Sequence, residues 1–167
     1  MYARAFFENL ECDAITVNPY MGFDAVEPFL SYEDKCAFVL CLTSNPGAQD
    51  FQQRLGENGP LFLEVARKVV DWNQKGPCGL VVGATQAEDL RRVREIAPRL
   101  PILIPGVGAQ GGDLASAVRG GVDASGHLAI INVARSILYA SRERDFDQRA
   151  RQEAVRLRDE INRIRNT

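Results

Sequence analysis

A short apolar run, followed by a turn and then by a stretch of helical period, recurs five times along the chain. Runs of this kind predict strands, and their alternation with helical stretches predicts βα units around a parallel sheet. The runs lack strict alternation of apolar and polar residues, which is typical of strands covered on both faces. The predicted strands are residues 14–17, 37–42, 79–83, 102–104 and 129–133.

The segments around these strands carry helix signals. Residues 61–72 place apolar side chains at helical spacing. Thr85, followed by acidic residues, has the form of an N-cap. The tail from about Asp145 has an apolar stripe and a charged face, which predicts a final amphipathic helix. Residues 2–10 have the pattern of a helix already in progress, with no strand before it.

The length fits two parallel architectures. Five βα units of about 30 residues account for about 150 residues, whereas a closed (β/α)8 barrel needs about 250. An open doubly wound sheet would fit the 167 residues without a deficit. In either case we expect a single domain over residues 1–167.

Composition excludes some function classes. With 46% hydrophobic and 25% charged residues the chain has the makeup of a globular domain. A net charge of −2 gives no basic footprint for nucleic acid or anionic lipid. No apolar window approaches the ~18 residues of a membrane span, and no secretion signal is visible. We therefore expect no nucleic-acid or membrane partner and a cytoplasmic location.

The cysteines and the single histidine do not suggest a metal site. Cys12, Cys36, Cys41 and Cys78 form no C-x-x-C pair, and we interpret them as buried, reduced thiols. His127 is the one histidine and precedes the last predicted strand, away from the expected ligand edge. We expect no structural metal.

Candidate ligand-binding residues follow the strands, because parallel α/β folds bind ligands beyond the carboxyl ends of their strands. After the last two strands stand the Gly-rich residues 105–112 and Arg135. Glycines let backbone N–H groups approach an anion, a helix beginning near Asp113 would add its dipole, and an arginine can clamp phosphate. Phosphate sites in barrels commonly follow strands seven and eight.

Each of these features also has a structural interpretation. A Gly-rich turn after a strand is more often an ordinary connection, and the pattern G-x-G-x-x-G-G is a weak match to a dinucleotide motif. Arg135 alone is more often a surface or ion-pair residue, and Ser44 more often caps a turn. A phosphate site is therefore indicated by these segments as a set and not by any one motif.

Taken in order, the segments resemble the bacterial-type branch of the orotidine 5′-phosphate decarboxylase family. The similarity lies in the strands and loops that this family numbers four to eight, and it covers nearly the whole chain. The matching segments are residues 13–22, 42–47, 79–85, 105–113 and 131–137. The resemblance implies the α/β class and an incomplete (β/α)8 TIM barrel of about five βα units.

The resemblance also implies an activity, namely cofactor-free conversion of orotidine 5′-phosphate to uridine 5′-phosphate and CO2 in pyrimidine biosynthesis. By position, Gln110 and Arg135 would bind phosphate, Ser44 would touch the pyrimidine edge, and Pro105 would shape the phosphate loop. The full set of implied substrate-binding residues is Asn18, Ser44, Pro105, Gly108, Gln110, Gly111 and Arg135. The family is usually a homodimer with its active sites at the interface.

One family feature has no counterpart in this chain. The Asp-x-Lys-x-x-Asp type of segment that carries the catalytic lysine belongs before Met1. Lys35 and Lys75 precede strands, and Lys68 lies within a helix. We therefore assign no catalytic residue, and we expect a truncated or split decarboxylase polypeptide that is inactive alone. Its expected partner is a second copy in a homodimer or a complementing N-terminal segment. The alternatives are a non-catalytic nucleotide-binding or phosphate-ligand module and another phosphate-handling barrel enzyme.

Overall fold

The computed structural model describes residues 1–108 and 111–166. The strands in these ranges are β1 (Ala14–Val17), β2 (Cys36–Leu42), β3 (Leu55–Gly56), β4 (Gly59–Pro60), β5 (Cys78–Val82), β6 (Ile102–Pro105) and β7 (Ala129–Asn132). The helices are α1 (Tyr2–Arg4), continued by a π-helical turn (Ala5–Asn9), α2 (Phe23–Leu30), α3 (Ala48–Phe51), α4 (Leu61–Trp72), α5 (Ala87–Ile96), α6 (Leu114–Gly121), α7 (Arg135–Leu138) and α8 (Phe146–Arg165).

The main sheet of the described chain is parallel, with the order β1-β2-β5-β6-β7. This is the order of the strands along the sequence, apart from the short antiparallel pair of β3 and β4. A doubly wound sheet requires a point where the strand order reverses. The doubly wound alternative is therefore wrong, and the α/β prediction with five parallel strands is confirmed.

Burial differs between the middle and the edges of this sheet. Every residue of β5 is buried, and β2 is buried at five of its seven positions. The edge strands β1 and β7 alternate between partly buried and exposed residues along most of their length. The hydrophobic core therefore lies between the central strands and helices α2, α4, α5 and α6.

Two helix starts can be compared with the sequence. Asp113 caps α6, since its carboxylate accepts a hydrogen bond from Ser116 N at 2.7 Å, and the helix start expected there is confirmed. The N-cap expected at Thr85 is wrong, because α5 begins at Ala87 after Gln86. The Gln86 amide donates to Gly83 O at 3.1 Å, so a turn precedes the helix.

A guanidinium joins several segments at the amino edge of the sheet. Arg94 donates hydrogen bonds to the backbone carbonyls of Ala97, Leu100, Gly121 and Leu128. These carbonyls belong to the ends of α5 and α6 and to the segments before β6 and β7. Burial lowers the pKa of Arg94 from its ordinary value. The Arg94 side chain therefore links two βα units at the amino edge of the sheet.

The C-terminal helix α8 packs on α6 and α7. It buries Leu157 and presents its arginines and acids outward, with Arg156 paired to Glu153 and Glu160 at 2.8 and 2.7 Å. This is the amphipathic helix that the sequence predicts. Within the described ranges, no helix combines the length and the apolar character needed to cross a membrane.

Candidate ligand-binding site at the carboxyl edge of the sheet

The residues implied as substrate-binding lie at the carboxyl ends of the strands. Asn18 follows β1, Ser44 follows β2, Pro105 ends β6, and Arg135 begins α7 just after β7. Gly108 and Gly111 lie in the loop between β6 and α6. Gln110 lies outside the described residues. Because the strands are parallel and adjacent, these positions share one edge of the sheet.

The loops after β2, β5 and β6 are in direct contact. An ideal Cβ added to Gly83 would overlap Ser44 Oγ and lie 2.9 Å from Ser44 N. A Cβ added to Gly112 would lie 2.6 Å from Ala84 Cβ. The Ala84 amide also donates to Pro105 O at 2.8 Å. The two residues after β5 thus separate the Ser44 loop from the Gly-rich loop and set the distance between them.

The described part of the Gly-rich loop, residues 105–108 with 111 and 112, is held by its own backbone. Gly108 N donates to Gly112 O at 3.0 Å, Gly111 N to Gly108 O at 2.8 Å, and Gly112 N to Gly106 O at 3.2 Å. Gly108 and Gly111 have φ of 74° and 84°, and a Cβ at either position would meet no atom of the described residues within 4 Å. Backbone conformation therefore requires glycine at these two positions, and the space beside them is open.

These hydrogen bonds modify the phosphate argument made from the sequence. The amides of Gly108, Gly111 and Gly112 already have acceptors inside the loop. The first turn of α6 already has an anion, because the carboxylate of Asp113 caps it. The Ser116 side chain and amide hold the pKa of Asp113 below its ordinary value. Among the described residues, the exposed guanidinium of Arg135 is the group at this edge best suited to an anion.

The Ser44 loop is organised by Gln52, which the sequence analysis did not identify. Gln52 Oε1 accepts from Thr43 N at 2.8 Å, and Gln52 Nε2 donates to Thr43 Oγ1 at 3.0 Å. Thr43 Oγ1 donates in turn to Asn45 Oδ1 at 2.5 Å. No periodic pattern marks Gln52, since it lies just beyond the short helix α3. Gly83 was also missed as a packing residue, although a glycine that ends a buried strand is a usable signal.

Asn18 occupies a more peripheral position. Its Oδ1 accepts a hydrogen bond from Tyr20 N at 2.9 Å, which closes a turn after the edge strand β1. The neighbouring rings of Tyr20 and Phe51 have centroids 6.2 Å apart, and both side chains are largely exposed, at 80% and 58%. The loop after β1 and helix α3 therefore meet through an aromatic contact.

A pocket of about 370 Å³ lies beside this edge, between the Gly-rich loop and α8. Gly108, Gly112 and Ser136 line one side, and Glu153 and Arg156 of α8 line the other. Ser44 and Arg135 are not among its lining residues. We therefore assign the candidate site from the carboxyl-edge loops and not from this pocket.

The lysines lie away from the carboxyl edge. Lys35 directly precedes β2, with its Nζ 3.7 Å from carboxylate oxygens of Asp13 and Asp34. Lys75 lies in the turn before β5, and Lys68 is an exposed residue within α4. The described carboxyl edge accordingly carries no ammonium group that could stabilise a carbanion.

The thiols and the histidine take no part in this site. Cys41 and Cys78 are buried as expected, but the expectation of burial is wrong for Cys12 and Cys36, which are only partly buried. Burial raises the pKa of Cys36 to about 11, and burial is also the main cause that raises Cys41 and Cys78 to a pKa of about 12. His127 precedes β7 at the amino edge. In the described part of the chain, no group of three or more acidic, cysteine or histidine side chains is arranged to hold a metal ion.

Comparisons with known proteins identify the group to which this architecture belongs. The family described as "Orotidine 5'-phosphate decarboxylase / HUMPS family" matches residues 1–146. The orotidine 5'-phosphate decarboxylase of Dehalococcoides mccartyi is 50% identical over 168 residues, covering 98% of this chain and 62% of that protein. The corresponding protein of Aromatoleum aromaticum is 52% identical over 166 residues, covering 98% of this chain and 61% of that protein.

A solved structure agrees with these matches. The Leishmania donovani OMP decarboxylase has a TM-score of 0.86 and 41% sequence identity, covering 99% of this chain and 62% of that one. The predicted incomplete (β/α)8 barrel is thereby confirmed. The chain spans about three fifths of the length of the relatives that it matches. Because the family match covers most of the chain and its relatives are about half identical to it, the chain belongs to the orotidine 5'-phosphate decarboxylase / HUMPS family.

Proposed function

We propose that this chain is an orotidine 5'-phosphate decarboxylase polypeptide that supplies the pyrimidine- and phosphate-binding loops of the active site. The observation that carries the proposal is the contact of the Ser44 loop, the end of β5 and the Gly-rich loop along one edge. In this assignment Ser44 binds the pyrimidine, and Arg135 binds the phosphate. Pro105, Gly108 and Gly111 shape the loop between them.

The chemistry requires a further group. In the decarboxylation of orotidine 5'-phosphate, the bond between C6 and the carboxylate breaks and its electron pair stays on C6 until a proton is delivered there. A cation that stabilises this charge and an acid that donates the proton lower the barrier. The three lysines of this chain lie at the amino edge or within α4. We propose that a complementing segment supplies the catalytic lysine and aspartates.

The edges of the sheet are the proposed contact surface for that segment. The strands β1 and β7 each pair with one neighbour among the described residues, which leaves a row of backbone N–H and C=O groups open to pairing. Ile130 on β7 is 45% exposed, an apolar residue at an edge that a further strand would cover. Strands added at both edges would close the sheet into an eight-stranded barrel.

A second copy of the chain is the proposed partner at a different surface. The rings of Tyr20 and Phe51 are in contact, and Met21 and Leu55, which are close to them in sequence, are exposed as well; we treat these four residues as one apolar patch. Patches of this kind on a soluble protein commonly mark association surfaces. We expect a homodimer through this patch once a complementing segment covers the sheet edges, and light scattering of that complex should show that Tyr20→Ser shifts it toward the monomer. An unchanged mass for the variant would exclude the patch as the dimer contact.

The decisive experiment measures decarboxylation of orotidine 5'-phosphate by the purified chain, with and without a polypeptide that carries the first three βα units of a relative. We expect turnover with the added segment and none without it. Arg135→Ala in the same mixture should raise KM more strongly than a substitution remote from the site, such as Arg163→Ala. Turnover by the chain alone would contradict the assignment of the catalytic lysine to another segment.

The second candidate function is nucleotide binding without turnover. The location of all three lysines away from the carboxyl edge favours it. Uridine 5'-phosphate binding by the chain, together with no activity in either arm of the experiment, would support this candidate over the first.

A further inference from the structure

A hydrogen-bond network fixes both neighbours of Ser44. Thr43 precedes Ser44, and its backbone amide and its hydroxyl are both bonded to the Gln52 carboxamide. Asn45 follows Ser44, and its Oδ1 accepts the Thr43 hydroxyl. One side chain, Gln52, thus controls the residues on either side of the implied pyrimidine contact.

Gln52 is itself anchored to the core. Its backbone amide donates to Ala48 O at 2.9 Å, and its carbonyl accepts from Phe62 N at 2.9 Å. Phe62 is only 1% exposed, and Ala48 is buried as well. Because the Gln52 backbone is fixed by these contacts, the hydrogen bonds of its carboxamide hold the Ser44 loop at a defined position relative to the core.

The opposite side of Ser44 is closed by Gly83, the residue that follows β5. Gly83 lies so near that any side chain at this position would overlap Ser44 Oγ, and the Gly83 amide donates to Leu42 O at 2.8 Å. Ser44 is held between this backbone and the Gln52 network. Such support on two sides is what a hydroxyl needs to offer a hydrogen bond in one fixed direction.

We propose that Gln52 is a positioning residue that fixes Ser44 for recognition of the pyrimidine base, and so contributes to ligand specificity without touching the ligand. This inference rests on the proposed function, in which Ser44 contacts the base. A polar group that is displaced by about 1 Å loses much of its contribution to binding or catalysis. Loss of the network should therefore weaken recognition of the base and leave recognition of the phosphate.

Three variants distinguish the acceptor function of the Gln52 carboxamide from its donor function. Gln52→Glu keeps the acceptor for Thr43 N but removes the donor to Thr43 Oγ1, whereas Gln52→Leu removes both. Thr43→Val keeps the backbone bond and removes the hydroxyl that reaches Asn45. The matched control is Gln49→Glu, which makes the same chemical change at an exposed position of α3.

The first measurement is amide hydrogen exchange of residues 43–45 in the free, full chain. We expect faster exchange at Thr43 in Gln52→Leu, because its amide loses its acceptor, and wild-type exchange in Gln49→Glu. This measurement needs no ligand. Unchanged exchange in Gln52→Leu would overturn the inference whether or not the proposed function is correct.

The second measurement compares the affinities for uridine 5'-phosphate and ribose 5-phosphate by calorimetry. For Gln52→Glu and Thr43→Val we expect the preference for uridine 5'-phosphate to fall by up to about tenfold, the effect of roughly one hydrogen bond, with ribose 5-phosphate binding unchanged. The double variant should lose less than the product of the two single effects, because both changes act in one network.

The possible outcomes distinguish a failure of this inference from a failure of the proposed function. An equal loss for both ligands would overturn the inference, since it would show a general structural effect of Gln52. A wild-type chain that binds uridine 5'-phosphate no better than ribose 5-phosphate would overturn the proposed recognition of the base, and this inference with it. The exchange data would then still report whether Gln52 holds Thr43.

Discussion

Single residues decide the spacing of this site, and Gly83 is the clearest case. It lies between the Ser44 loop and the Gly-rich loop and has no room for a side chain. Gly108 and Gly111 differ, because their space is open and the positive φ angle is what requires glycine. Close packing and backbone conformation are thus two separate reasons for glycine within one site.

Gly83→Ala should displace Ser44, because the added methyl group overlaps its hydroxyl oxygen. We expect a loss of about 1–3 kcal/mol in the free energy of unfolding, the usual effect of overpacking. Urea denaturation followed by circular dichroism measures it. Gly120→Ala in α6 is the control, since its Cβ would meet atoms of α5 at 3.4 Å or more and should leave stability equal or raised. A stable Gly83→Ala protein would contradict the close approach.

Arg94→Lys should destabilise the chain although charge is retained. An ammonium group cannot bond four carbonyls that are spread around a planar guanidinium. We expect a loss of about 2–3 kcal/mol in unfolding free energy, from the loss of several partly buried hydrogen bonds. The control Arg91→Lys changes an exposed pair with Glu88 and should cost less than about 0.5 kcal/mol. Equal effects of the two variants would show that the carbonyl contacts contribute little.

At the scale of secondary-structure elements, the start of α6 is a feature that the local sequence predicts correctly. Asp113 caps the helix, as its sequence position indicates. Because its carboxylate occupies the amino end of α6, that helix end is not available to bind another anion. The same helix ends beside the Arg94 contact to Gly121. Both ends of α6 are therefore defined by side-chain hydrogen bonds to its backbone.

The cap makes stability depend on pH in a defined window. Hydrogen bonds from Ser116 hold the pKa of Asp113 below its ordinary value of 3.8 in the folded chain. The stabilisation is thus present above about pH 3.8 and is lost as the pH falls through the lower folded pKa. Thermal melts should show that Asp113→Asn, which keeps a capping side chain, has a smaller decrease in melting temperature between pH 4 and pH 2. An identical decrease would show that other carboxylates dominate.

Sequence patterns predicted the strands well because central strands such as β5 are continuous apolar runs. They failed for the short pair β3 and β4, whose Gly and Pro residues carry no strand signal and whose pairing depends on the turn between them. The prediction of an N-cap at Thr85 failed because the Ala84 amide, in the loop after β5, is hydrogen-bonded to Pro105 O of β6, and the helix begins only after this loop. Gln52 could not be found, since its contact with Thr43 spans a loop that has no fixed geometry in sequence.

At the scale of the whole molecule, we expect the two edge strands of the described sheet, β1 and β7, to determine how the chain associates in solution. Ile130 on the edge strand β7 is a directly testable position. We expect the chain without a complementing segment to form species larger than a dimer through its edges, and Ile130→Lys to suppress them, because a charged edge resists strand addition. Light scattering at increasing concentration measures this.

The control for the edge prediction is Phe146→Lys. It replaces another exposed apolar residue, at the start of α8 and not on a strand, and it should leave the larger species in place. Suppression by both variants alike would indicate general apolar association in place of strand pairing.

The strand order has a consequence for biosynthesis. Among the described strands of the main sheet, each one after β1 pairs with the main-sheet strand that precedes it in the sequence, so none of these four pairings has to wait for a distant segment. Proteins whose contacts are local fold faster than those that need distant pairings, and nascent chains fold from the N-terminal side as they are synthesised. The sheet can accordingly grow one βα unit at a time as the ribosome releases it, with β7 as the last strand to dock.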